Sequence, residues 1–212
     1  NQGWKDSGDS IQWRDGSLAA GPIALCEVQG YAYEAAIGGA DLLDRFGRPG
    51  AERLRAWAAG LKQRFAERFW VTTPEGRYPA IALDRDGRAV DTLTTNAGHL
   101  LGTGILSPEE EAEVARLLTG ASMSSGFGLR TLSTDAGGYW PLSYHGGSVW
   151  THDTAIVARG MARAGLASPA REVVVMSITA VSSSSRRGRH GVASGPCSIP
   201  SSSASSFSHT CL

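Results

Sequence analysis

The chain has 212 residues, is 42% hydrophobic and 19% charged, and its 20 basic residues cancel its 20 acidic ones. That balance suits a globular domain and excludes the basic excess that binding to nucleic acid or to an anionic membrane needs. No run of about 18 apolar residues occurs, so no transmembrane helix is expected.

Residues 1–22 read as a long loop rich in Trp, Asp, Ser and Gly. Its start, Asn1-Gln2-Gly3-Trp4-Lys5-Asp6, has neither an initiator Met nor a signal-peptide pattern and reads as the middle of something longer. A helix is predicted over Ile23–Phe46. Pro22 suits its first turn, Gly47 suits its end, and Leu25, Val28, Tyr31, Ala32 and Ala35 fall at helical spacing. Gly30, Gly38 and Gly39 would each weaken it by about 1 kcal/mol relative to Ala unless close packing requires them. A second helix is predicted over Pro49–Phe69, with Leu54, Trp57, Leu61, Phe65 and Phe69 on one stripe. Tyr78–Leu83 followed by Asp84-Arg85-Asp86-Gly87 reads as a short hairpin. Asn96–Leu101 is a short helix. Ser107 caps another, with Pro108 at its first position, running to about Leu118 before Gly120. A long aromatic loop spans 121–148, and Val149–Ala164 is the last clear helix, stopped by Gly165. Both long loops exceed the usual length of a structureless connection, and their aromatic content favours function over disorder.

After Glu172 the composition changes. Residues 177–212 contain 13 serines and no Asp or Glu, with Arg186, Arg187 and Arg189 clustered. The predicted organisation is therefore a helical domain over 1–172 and, over 173–212, a Ser-rich tail that is disordered or translated out of frame. Cys26, Cys197 and Cys211 are too few and too scattered for a disulfide framework or a metal motif, and Cys26 is expected to be a buried thiol. No metal and no other cofactor is expected.

Three constellations carry chemistry. In Gly3–Ser10, Trp4 offers a ring that can stack on the apolar face of a sugar, and Asp6 and Asp9 offer carboxylates for hydroxyl groups or for general-acid work. The same residues would also suit an acidic surface loop capped by a buried Trp. Glu27 and Gln29 lie near the start of an otherwise apolar helix and need partners there, in a buried structural network or a ligand. The densest stretch is 139–153, with two Trp, two Tyr, His145, His152 and Asp153 at a helix start. The His145–His152 spacing offers zinc no obvious third ligand, and the mixture of rings and a carboxylate fits a carbohydrate better.

Asn1–Ser7, Gly21–Tyr31, Thr95–Leu101, and Pro141–His145 through Gly147–Trp150 to His152-Asp153 resemble, in order, the bacterial amylo-α-1,6-glucosidase family, the debranching enzymes of glycogen, over residues 1 to about 166. The resemblance implies an all-α fold, part of an (α/α)6 toroid of the six-hairpin glycosidase kind with a short β-hairpin. It implies a cytoplasmic hydrolase acting by inversion on α-1,6 or α-1,4 bonds of an α-glucan, with no nucleic acid and no membrane as partner. It implies Asp6 as general acid, with Trp4, Asp9, Glu27, Gln29, His145, Trp150 and Asp153 around the sugar. Gly8 stands where that family commonly has Trp, Gly146 where it has a polar residue, and Thr151 where it has Pro. The family's base is expected downstream of the Trp150 helix in a Pro-Glu-Leu-like context, where this chain has its Ser-rich stretch. The chain is thus expected to be a fragment without a base and with one side of the barrel open. A sugar-binding remnant without activity, and a sugar epimerase using His145 and His152 on a similar barrel, are the competing readings.

Overall fold

The structure, a computed structural model, describes residues 3–187. It is mostly helical: α1 Cys26–Arg45, α2 Ala51–Arg68, α3 Pro108–Thr119, α4 Thr151–Arg163 and α5 Ala167–Arg187. Five short strands accompany them, β1 Ala24–Leu25, β2 Trp70–Thr73, β3 Gly76–Pro79, β4 Ala82–Leu83 and β5 Ala89–Val90, with a 3₁₀ helix over Thr95–Leu100.

α1 starts later than the apolar pattern predicts, because the backbone before it bonds elsewhere. Ala24 and Leu25 pair antiparallel with Leu83 and Ala82, and the Cys26 amide donates to the Ile81 carbonyl at 3.0 Å. β5 adds to the other side of β4, giving the order β1-β4-β5. Asp84 closes the β4–β5 turn by accepting from the amides of Asp86 (3.0 Å) and Arg88 (2.9 Å). A second hairpin, β2–β3, lies upstream, so two hairpins stand where one was expected. The first seats Ile81, Ala82 and Val90 with Ile11 and Leu25 in a small core beneath the N-terminal loop.

The larger core is built by helices. α1 packs on α2, and the wholly buried 3₁₀ helix touches α1, α3 and α4. Two glycines permit this approach. A Cβ on Gly30 of α1 would lie 2.8 Å from Leu100, and one on Gly98 would lie 2.7 Å from Val157 and 2.8 Å from Leu118. α3 begins at a complete capping box: Ser107 Oγ accepts from the Glu110 amide and the Glu110 carboxylate accepts from the Ser107 amide. Trp57 departs from its predicted place. It is 48% exposed while its neighbour Ala58 takes the buried position of α2. Val28, Tyr31, Leu42 and Phe46 likewise form an exposed apolar stripe on α1.

α5 crosses the compositional change at Glu172. Val173 is fully buried, Met176 packs against the core, and the helix lies on α4 and α3. The Ser-rich remainder over 188–212 lies outside the described residues. No helix among the described residues is long and apolar enough to cross a membrane.

Candidate functional site

The N-terminal loop runs over the ends of α1 and α4 and meets the aromatic loop that precedes α4. Trp4 sits at their junction, half-buried, with four rings around it. It stacks parallel on His99 (centroids 5.9 Å apart, planes at 6°) and meets His145, His152 and Trp150 edge-on at 5.2, 5.3 and 6.4 Å. Trp150 lies 5.3 Å from His145, and its indole N–H donates to the Tyr144 carbonyl at 2.8 Å. Tyr144, Trp140 and Leu142 are exposed around this group, and a surface pocket of about 580 Å³ opens beside Tyr144 and Trp150.

Asp6 is exposed and faces a second pocket of about 380 Å³, between its own loop and Gly21–Ile23. Its neighbour Ser7 is hydrogen-bonded through Oγ to His145 Nδ1 at 2.9 Å, which ties the acidic loop to the rings. Burial pushes the His145 imidazole down, the Lys5 ammonium adds to this, and the Asp6, Asp9 and Asp153 carboxylates oppose it.

Beneath the rings lies a buried charged network. Lys5 is 1% exposed, and its ammonium donates to the Thr131 carbonyl at 2.5 Å. Burial lowers its pKa to about 8, while the carboxylates of Asp153 and Glu27 resist the shift. Asp153 is fully buried and accepts from His99 Nε2 at 2.7 Å, and His99 Nδ1 meets the Tyr31 hydroxyl at 2.5 Å. Burial and the Glu27 and Asp153 carboxylates push the Tyr31 phenol up to about 12, so it keeps its proton and donates to the ring. Glu27 Oε1, Asp153 Oδ2 and Trp4 Nε1 are buried without a hydrogen-bond partner among the described residues. Cys26 is the buried thiol expected, and burial beside Glu27 pushes its pKa well up.

The expected site residues thus separate into three groups. Trp4, His145 and Trp150 come together as one surface, with Asp6 and Asp9 on the loop beside it. Glu27 and Asp153 lie inside, facing Lys5 rather than solvent. Gln29 bonds within its own helix, donating to the Leu25 carbonyl at 3.1 Å. The residues missed are Lys5, Tyr31, His99 and Tyr144, while His152, nominated for the epimerase reading alone, joins the rings around Trp4. Lys5 sits between two nominated residues, and its isolation in an aromatic–acidic segment was the one available signal. No cluster of three metal-ligating side chains occurs among the described residues.

Residues 7–194 match the family model of the mannosylglycerate hydrolase MGH1-like glycoside hydrolase domain. Trp4, Lys5 and Asp6 precede the matched segment. No curated protein sequence matches the chain. Among solved structures, the chain is similar to the GH63 mannosylglycerate hydrolase from Thermus thermophilus in complex with glucose, with TM-score 0.64 and 14% identity, over 74% of this chain and 39% of that one. It is also similar to the neutral trehalase Nth1 from Saccharomyces cerevisiae, with TM-score 0.65 and 12% identity, over 86% of this chain and 36% of that one. An uncharacterized conserved protein from Thermus thermophilus gives TM-score 0.60 and 15% identity, over 71% of this chain and 36% of that one. These likenesses give the six-hairpin glycosidase fold, and the chain spans less than two fifths of each neighbour's length.

Proposed function

Since the chain belongs to the mannosylglycerate hydrolase MGH1-like glycoside hydrolase domain family, we propose that its cleft receives a glucosyl unit of an α-glucan and that Asp6 is the general acid of an inverting cleavage, the chemistry of an amylo-α-1,6-glucosidase. The observation that carries this reading is the ring-walled surface around Trp4 beside the exposed Asp6. Stacked rings bind the C–H face of a pyranose, and a solvent-facing carboxylate at their edge is free to meet a glycosidic oxygen. Inversion also needs a second carboxylate roughly 6.5–9.5 Å away to activate water. Glu27 and Asp153 are buried beneath the rings, Asp153 hydrogen-bonded to His99, and Asp9 leaves the same loop as Asp6. We infer that these 212 residues lack the base, as the resemblance implies, since residues 188–212 carry no Asp or Glu.

General-acid catalysis alone contributes about 10²–10⁴-fold, far below the 10⁶–10¹⁷-fold of complete enzymes. The 212-residue chain is therefore expected to bind maltose, quenching its tryptophan fluorescence, but to release no glucose from a branched maltodextrin. Trp4→Ala should abolish the quenching. Glucose release that Asp6→Asn abolishes would place a base within the chain, and the absence of saccharide binding would remove the reading.

A second reading, a sugar epimerase, is favoured by three imidazoles, His99, His145 and His152, lying around Trp4. Interconversion of reducing sugars that survives Asp6→Asn would select it.

A further inference from the structure

The geometry points to Lys5 as a positioning residue. Its buried ammonium, bonded to the Thr131 carbonyl and facing the carboxylates of Glu27 and Asp153, fixes the Gly3–Asp6 segment so that Trp4 lies among the cleft rings while Asp6 stays in solvent. This rests on the reading of Trp4 and Asp6 as the sugar site.

Burying an ammonium is costly, by several kcal/mol per ion even after relaxation. A Leu or Met would fill the same volume, and apolar replacements of buried ion pairs are often neutral or stabilising. Packing therefore does not require a lysine here. What the charge adds is direction, through its bond to the Thr131 carbonyl and its electrostatic coupling to groups from three separate parts of the chain. Glu27, with Cys26 beside it, comes from α1, Asp153 from α4, and the Thr131 carbonyl and His145 from the loop between α3 and α4. Trp4 is held from the same point, since its ring stacks on His99 and His99 bonds Asp153. The ammonium also lies 5.4 Å from the Trp4 ring. Trp4 and Asp6 flank Lys5 in sequence, so anchoring one residue orients both.

The experiment follows the indole N–H resonance of Trp4, assigned with Trp4→Phe, in the ¹⁵N-tryptophan-labelled chain across pH 6–11, with maltose affinity measured in parallel. In the unsubstituted chain the resonance is expected to titrate near pH 8, where Lys5 loses its proton, and maltose binding should weaken over the same range. Lys5→Arg should keep the binding and move the transition beyond pH 10, because a guanidinium stays charged. Lys5→Met should abolish the transition and weaken maltose binding by about tenfold or more. Should Lys5→Met fail to fold, the Lys5→Met/Glu27→Gln pair removes both charges together, and it is expected to fold with a displaced Trp4 resonance and weak binding. If that pair, or Lys5→Met itself, binds maltose like the parent with Trp4 unmoved, Lys5 only balances charge and the inference falls. It falls also if the transition stays near pH 8 in Lys5→Arg. If the Trp4 resonance behaves as expected while no saccharide binds any form, the positioning role stands and the sugar site does not.

Discussion

Asp6 and Asp153 belong to one list when read from the sequence, and burial divides them. Asp153 is fully buried against His99 and Lys5, whereas Asp6 is exposed. Removing one partner of a buried charged network costs about 3–5 kcal/mol, while exposed substitutions stay within about 0.5 kcal/mol. Urea denaturation should therefore show Asp153→Asn strongly destabilised and Asp6→Asn unchanged, and equal losses would mean that Asp6 is structural. The sequence could nominate both carboxylates but not separate them, because Asp153 bonds His99, 54 positions away, and the network around it is closed by the Tyr31–His99 and Lys5–Thr131 bonds, 68 and 126 positions apart, which leave no local pattern. Lys5, His99 and Tyr31 went unnominated for the same reason. Gly8 makes a second test. A Cβ there meets nothing within 4 Å, and Gly8 is exposed, at the point where the resembled family commonly has Trp. Gly8→Trp should leave stability unchanged and tighten maltose binding by about 1–3 kcal/mol, the worth of one stacked ring on the base–aromatic scale, as read by fluorescence titration. Unchanged affinity would put Gly8 outside the sugar's reach.

At the scale of elements, the helices and the Asp84 hairpin turn were legible, and the β2–β3 hairpin and β1 were not. α1 to α4 each carry an apolar stripe and recognisable end signals, and their ends moved by no more than three residues. β1, β4 and β5 are two residues each, too short for any periodicity, and they exist only because the sheet brings them together. α5 escaped because its serines read as loop-forming, although Val173 and Met176 supply the core contact that helices of modest propensity rely on. The helix starts give a paired prediction. Ser107→Ala removes the capping-box acceptor of α3 and should cost about 1 kcal/mol. Thr151 is the first residue of α4, and Trp150 before it has the extended backbone (φ −113°, ψ 124°) that a following proline favours. Thr151→Pro should therefore stabilise by about 0.4–1 kcal/mol. Urea midpoints that fail to move in these opposite directions would contradict the cap geometry.

At the scale of the whole molecule, the buried groups set how stability varies with pH. The native pKa of Lys5 is lowered to about 8 from 10.5, so between these values the unfolded chain holds a proton that the native chain has released, and stability rises with pH. His145, also lowered, acts likewise below its ordinary value of 6.5. Cys26, Tyr31 and Tyr78 are all raised by burial, so their stabilisation is complete below the unfolded pKa values of 9.0 for the thiol and 10.0 for the phenols and is lost as pH rises beyond them. Between pH 8 and 9 the lysine dominates, because the thiol and phenols are still largely protonated in the unfolded chain. Just above pH 9 three groups outweigh one and the sign reverses. The urea midpoint should therefore climb gently to a crest near pH 9, a gain of about 0.5 kcal/mol from pH 8, and then fall. Lys5→Met removes the single rising contribution in that window, so its midpoint should decline steadily from pH 8 upward. A crest that persists near pH 9 in Lys5→Met would show that another group releases the proton and that Lys5 is not the buried ammonium of the native state.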